Sequence, residues 1–123
     1  MKFTEHRDPK INMINHYAPG LVTINNQDYQ TSCIITQQSL NPAWPVKKLD
    51  DLTSATLQQL LDLSPEVLIL GTGEKQQFPS AEIFGLCAQQ GVSLEVMNNA
   101  SACRTYNVLT TEDREVVMGL ILN

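Results

Sequence analysis

No stretch of this chain approaches the roughly 18 consecutive apolar residues that cross a bilayer, and Met1-Lys2-Phe3-Thr4-Glu5-His6-Arg7-Asp8-Pro9 lacks the apolar run of a signal peptide. Membrane insertion is therefore not expected, and a cytoplasmic location is the default. Basic residues are scarce: 8 Lys and Arg stand against 13 Asp and Glu, a net charge of −5, with no run of like charge. A nucleic-acid partner needs a basic face to neutralise phosphates, so that class is set aside. Cysteine is limited to Cys33, Cys87 and Cys103, widely spaced and without a Cys-x-x-Cys pair, which argues against a disulfide framework or a zinc site. Three reduced, mostly buried thiols are expected instead. The only histidines, His6 and His16, have no Asp or Glu at ligand spacing, so no metal site is expected.

What is present suits one ordinary domain, residues 1–123, with 42% hydrophobic and 17% charged residues. The first third reads as β. Ile11, Met13 and Tyr17 alternate with polar residues, Leu21 to Ile24 follows Pro19-Gly20, and Asn25-Asn26 suits a tight hairpin leading into Tyr29 to Thr36. In that last strand Tyr29, Thr31, Cys33 and Ile35 share one face, a half-buried pattern. Pro42 and Pro45 exclude regular structure around Trp44, which is expected to plug core. From Thr53 or Ser54 as N-cap, Leu57, Leu60 and Leu61 recur at helical spacing as far as Ser64-Pro65.

Val67 to Leu70 lacks polar alternation, as a strand covered on both faces does. A helix from Pro79-Ser80 carries Ile83, Phe84, Cys87 and Ala88, and Gly91 supplies its stop. With Val92 to Met97 this makes a βαβ unit, whose strands are parallel with a right-handed crossover. A third helix from Asn98 or Asn99 buries Ala102, Tyr106 and Leu109, and Val116 to Leu122 reads as a central strand. The fold class predicted is α/β: a three-layer domain with an amino-terminal antiparallel β layer and a central mixed sheet.

Open α/β sheets bind ligands beyond the carboxyl ends of their strands, where this chain places Gly71-Thr72-Gly73 and the start of the third helix. The glycine pair fails as a dinucleotide fingerprint, because Gln76 stands at the third glycine position. Two readings remain. Gly71 and Gly73 let the chain leave a buried strand sharply, or their amides, with Thr72 and Lys75, line a site for a small anionic group. Arg104 either holds a carboxylate or phosphate through its guanidinium or is a buried structural arginine. Asn98, Asn99 and Ser101 are first of all caps and secondly ligand contacts. Tyr106 and Asn107 suggest packing with a buried polar link rather than proton transfer. No Ser, Thr or Cys has a recognisable base beside it, so no catalytic residue is assigned and no cofactor is expected. Cys103, close to a helix start, is the one thiol whose pKa a helix dipole could lower.

Val67-Leu68-Ile69-Leu70-Gly71-Thr72-Gly73, Gly91 to Met97, and Ala102-Cys103-Arg104-Thr105-Tyr106-Asn107-Val108-Leu109, taken in order, resemble a family of small α/β proteins. It includes mitochondrial complex I assembly factor three and a cytoplasmic adipogenesis-associated protein. The resemblance extends to the Tyr29 hairpin and Trp44, and Gln76-Gln77-Phe78-Pro79 looks like the bacterial branch. It implies a three-layer fold whose last strand runs antiparallel to the others, no established enzymatic activity or cofactor, and action through protein partners during assembly. Many members carry Thr where this chain has Asn98-Asn99, so a ligand contact through that hydroxyl is not carried over. The function expected is thus an assembly-factor-like protein-interaction module. The alternative is an anion binder or unusual enzyme using the crevice between the glycine turn and the Arg104 helix.

Overall fold

A computed structural model describes residues 11–123; the start through Pro9, with His6, lies outside the described residues. Strands β1 (Ile14–Ala18), β2 (Leu21–Ile24) and β3 (Gln27–Tyr29) form an antiparallel sheet. Asn25 and Asn26, at φ 51° and 68°, make the left-handed hairpin between β2 and β3. A second sheet has the order β5 (Leu40–Asn41), β4 (Cys33–Ile35), β8 (Val116–Leu120), β6 (Val67–Gly71), β7 (Ser93–Met97). Helices α1 (Ser54–Leu61), α2 (Ala81–Gln89) and α3 (Asn99–Thr111) complete the chain. Thr53 caps α1 by accepting from Thr56 N, and Gly91 ends α2 at φ 72°.

Strand alternation divides the core in two. Val67, Ile69, Val116, Met118 and Leu120 face α3 and the small sheet, whereas Leu68, Leu70, Val117 and Ile121 face Trp44 and the α1/α2 layer. The expected three layers follow: two helices, a sheet whose strands β4, β8 and β6 are buried throughout, and a layer shared by α3 and the antiparallel strands. Trp44 does plug core, at 3% exposure. Of the residues assigned to α2, Ile83 and Cys87 are buried but Phe84 and Ala88 are not. Only a narrow stripe is covered, because this helix packs beside β7 at the sheet's edge.

Two expectations need correction. β8 is central, but it runs antiparallel only to β4; beside β6 it is parallel. The reason is α3, which carries the chain from the end of β7 back to the starting edge, so β8 sets out in the direction of β6 and β7. The strand opposed to these three is β4. Tyr29 to Thr36 is also not one strand. It breaks at Gln30–Ser32, where the chain leaves one sheet for the other, and β4 is buried on both faces instead of half-buried. Buried Ser32 forms the joint: its Oγ accepts from Leu122 N at 2.8 Å and reaches the Val46 carbonyl, and its own carbonyl accepts from Trp44 N at 3.2 Å.

Candidate functional site

At the carboxyl end of β6, Thr72 N donates to Met97 O at 3.0 Å, carrying the pairing with β7 one residue further. The Thr72 hydroxyl donates to Lys75 O at 2.8 Å and accepts from Gln77 N at 3.0 Å, which ties down the following loop. Gly73 sits at φ 107°, a conformation other residues resist. Gly71 is needed for a different reason. A Cβ there would lie 2.5 Å from Asn99 Oδ1 and 2.7 Å from Leu120 Cδ1.

Asn99 explains that closeness. Asn98 is the N-cap of α3, accepting from Ser101 N at 2.8 Å, so Asn99 is free for another task. At 1% exposure, its Oδ1 accepts from Gly73 N at 3.0 Å while its own N donates to Gly73 O at 2.8 Å. Its Nδ2 donates to Ile121 O at 2.8 Å and to the Tyr17 hydroxyl at 3.3 Å. One side chain thereby fastens the β6 exit, the α3 start, the end of β8 and β1. Burial raises the Tyr17 pKa, and the hydrogen bond from Asn99 partly opposes this.

The candidate residues are thus divided. Gly73 and Asn99 line a cleft of about 160 Å³ beside Glu74, Pro19 and Gly20; neither Lys75 nor Arg104 lines it. Lys75 is exposed on its loop. Arg104 is exposed too, and it lines a separate groove of about 310 Å³ between α3 and β1. Its Nη2 donates to Ser101 Oγ at 3.2 Å, and among the described residues no carboxylate pairs with it. It is therefore not the buried structural arginine of one reading. Tyr106 and Asn107 make the polar link foreseen: the Tyr106 hydroxyl donates to Asn12 O at 2.9 Å, and Asn107 bonds the main chain of Ile14.

Asn12 escaped sequence reasoning. Its Nδ2 donates to Thr36 O and Ser39 O, both at 2.9 Å, and its Oδ1 accepts from Asn25 Nδ2 at 2.8 Å. An Asn beside a strand carries no local signal for such a clasp. Among the described residues no group of three His, Cys, Asp or Glu is placed to hold a metal ion.

The cysteines are free and buried. Cys103 is not activated: burial pushes its thiol up to about 12, and Cys33 up to about 11. The helix dipole fades within the first turn, and Cys103 lies past it, so desolvation wins. Iodoacetamide is expected to react with the folded chain far more slowly than with free cysteine, and an equal rate would contradict this burial. Because the folded chain holds thiol protons that the unfolded chain releases near pH 8.5, stability is full below about that pH. It is then lost as pH rises toward the folded values, by about 1.4 kcal/mol per pH unit for each such thiol. Urea titrations from neutrality to pH 10.5 check this, with Cys103→Ala expected to flatten the slope.

Residues 14–121 match the family described as "Protein of unknown function (DUF498/DUF598)". A Francisella tularensis protein named "13 kDa major membrane protein" is 33% identical over 101 residues, covering 81% of this chain and 82% of that one. NADH dehydrogenase (ubiquinone) 1 alpha subcomplex assembly factor 3 of Danio rerio is 31% identical over 111 residues, covering 89% of this chain and 63% of that protein. The chain thus spans less than two thirds of the assembly factor's length. A Bordetella parapertussis crystal structure superposes with a TM-score of 0.86 at 32% identity, covering 92% of this chain and 97% of that one. Among the described residues no helix is long and apolar enough to cross a membrane. With the match running from β1 to just past β8, and relatives similar along most of its length, this chain belongs to the DUF498/DUF598 family.

Proposed function

We propose that this chain is a non-enzymatic interaction module that assists the assembly of a partner protein. The observation that carries this reading is Asn99. At the end of the sheet where α/β proteins hold ligands, the Gly73 amide is already bonded to Asn99 Oδ1 and the Gly71 carbonyl to Ile121 N. The Gly73 amide, the donor that an anion would need here, serves the fold instead. The assembly factors among the relatives support the same direction, as do exposed aromatics outside the crevice: Phe78 is 67% exposed and Phe84 37%. A cytoplasmic location belongs to this proposal.

The test is a thermal-shift panel of anions and metabolites on the intact chain, followed by amide NMR. Binding to the native state raises Tm with concentration, so no saturable shift is expected and the Gly73 and Asn99 amides should stay unmoved. A saturable rise in Tm that perturbs those amides would favour the crevice as a ligand site.

A further inference from the structure

The small sheet has an unfinished edge. β1 is its outer strand, and Ala18 pairs with Leu21 across the hairpin to β2. Ladder alternation then turns the main-chain groups of Ala18 and His16 toward β2 and those of Tyr17 away from it. A bulge between Ile14 and His16 makes Ile14 the preceding outward residue. Ile14 already has a partner: Asn107 Oδ1 accepts from its N at 3.0 Å and Asn107 Nδ2 donates to its O at 2.8 Å. That primary amide supplies the two bonds a neighbouring strand would make. At Tyr17 the alternation turns both main-chain groups outward, and outside the strand ladders neither makes a hydrogen bond among the described residues. Bulge and Asn107 shield the first half of the edge, and the second half is bare.

The groove of about 310 Å³ lies along this edge, between β1 and the α3 residues Ala100, Arg104 and Asn107. Its volume is at the low end of ligand clefts, which run roughly 300–1,000 Å³. In a chain of net charge −5, the groove is lined by Arg104 and His16 and, among the described residues, by no Asp or Glu. Glu74, whose charge acts on the Tyr17 hydroxyl, lines the neighbouring cleft.

We infer that this groove takes an extended acidic segment of a partner protein, added to β1 as a further strand, with main-chain pairing at Tyr17 and a carboxylate on Arg104. The inference rests on the interaction-module reading and names the partner's chemistry. A free anion would satisfy Arg104 alone. An N–H and a C=O side by side at Tyr17 call for the complementary pair of a peptide. The distance from Ile14 to Tyr17 is about 10 Å at strand rise, so only a short segment is held.

A displayed library of random linear octapeptides, selected against the intact chain, tests this. Enriched peptides are expected to carry Asp or Glu between apolar residues, to shift the amides of Asn15 to Ala18 and Asn107, and to slow hydrogen exchange at the Tyr17 amide. The exposed substitution Arg104→Glu should weaken them by about tenfold or more, and methylating the peptide nitrogen that pairs with Tyr17 should abolish binding. Failure to enrich any peptide, binding that maps elsewhere, or indifference to Arg104→Glu overturns the inference. If a partner is nevertheless captured by the intact chain and holds Arg104→Glu equally well, only this groove is wrong. If no partner is captured at all, the interaction reading itself fails.

Discussion

Asn99→Ala is expected to lower the unfolding free energy by about 3–5 kcal/mol, a fall in Tm of about 10–20 °C for a domain of this size. The side chain removed is buried and bonded to Gly73 N, Ile121 O and the Tyr17 hydroxyl. Each buried main-chain group left without a partner costs about 1–3 kcal/mol. Asn99→Asp separates hydrogen bonding from simple loss of volume. Its carboxylate would still accept from Gly73 N but would face the Ile121 carbonyl, which raises its pKa. That variant should be most stable at acid pH, where the protonated form donates, and lose stability as pH rises through the raised value. Chemical denaturation from pH 4 to 8 checks both; an Asn99→Ala cost near zero would mean that the joint is not built as described.

Gly119 is the second position where a small change should have a large effect. It lies in the central strand β8, and a Cβ there would meet Trp44 Cη2 at 2.8 Å, Trp44 Cζ3 at 3.0 Å and Leu60 Cδ1 at 3.1 Å. The indole cannot retreat freely, since it is buried and its Nε1 donates to Thr56 O at 3.3 Å. Gly119→Ala is expected to cost about 2–3 kcal/mol by overpacking, and Gly119→Val more. Trp44→Leu alone should cost about 3 kcal/mol for the space it opens. Combined, Gly119→Ala and Trp44→Leu should cost less than their sum by at least about 1.5 kcal/mol, because the new methyl occupies vacated volume. Strict additivity in urea unfolding would show that the two residues are not in contact.

These two positions also mark where the sequence was readable and where it was not. Thr53 as a cap, Asn25-Asn26 as a hairpin, Gly91 as a helix stop and Val67 to Leu70 as a covered strand all announce themselves locally, and the structure places them so. Asn99 does not. Next to a helix start, an Asn reads as a cap, and its decisive partner, Ile121, is 22 residues away. The Gly71 requirement comes from space, since Asn99 and Leu120 converge on it, and space leaves no mark on local pattern. The break at Gln30–Ser32 is hidden for a similar reason. Gln30-Thr31-Ser32 holds no Gly or Pro to mark a turn, yet the chain changes sheets there.

Arg104 shows the limit for the candidate site. Its place on the helix was legible, and its separation from the glycine turn was not, because which face of α3 meets the crevice depends on how Ala102 and Tyr106 seat against the sheet. Helix position gives proximity along the chain but not the direction of a side chain.

Affinity capture of the intact chain from an extract of its own cells, with quantitative mass spectrometry and excess untagged chain as competitor, tests the interaction-module reading most directly. The account predicts a protein recovered in near-stoichiometric amount and displaced by the competitor, with hydrogen exchange slowed on the outer surface and unchanged at Gly73 and Asn99. Recovery of no competable protein, together with a metabolite that stabilises the chain and protects those two amides, would contradict it.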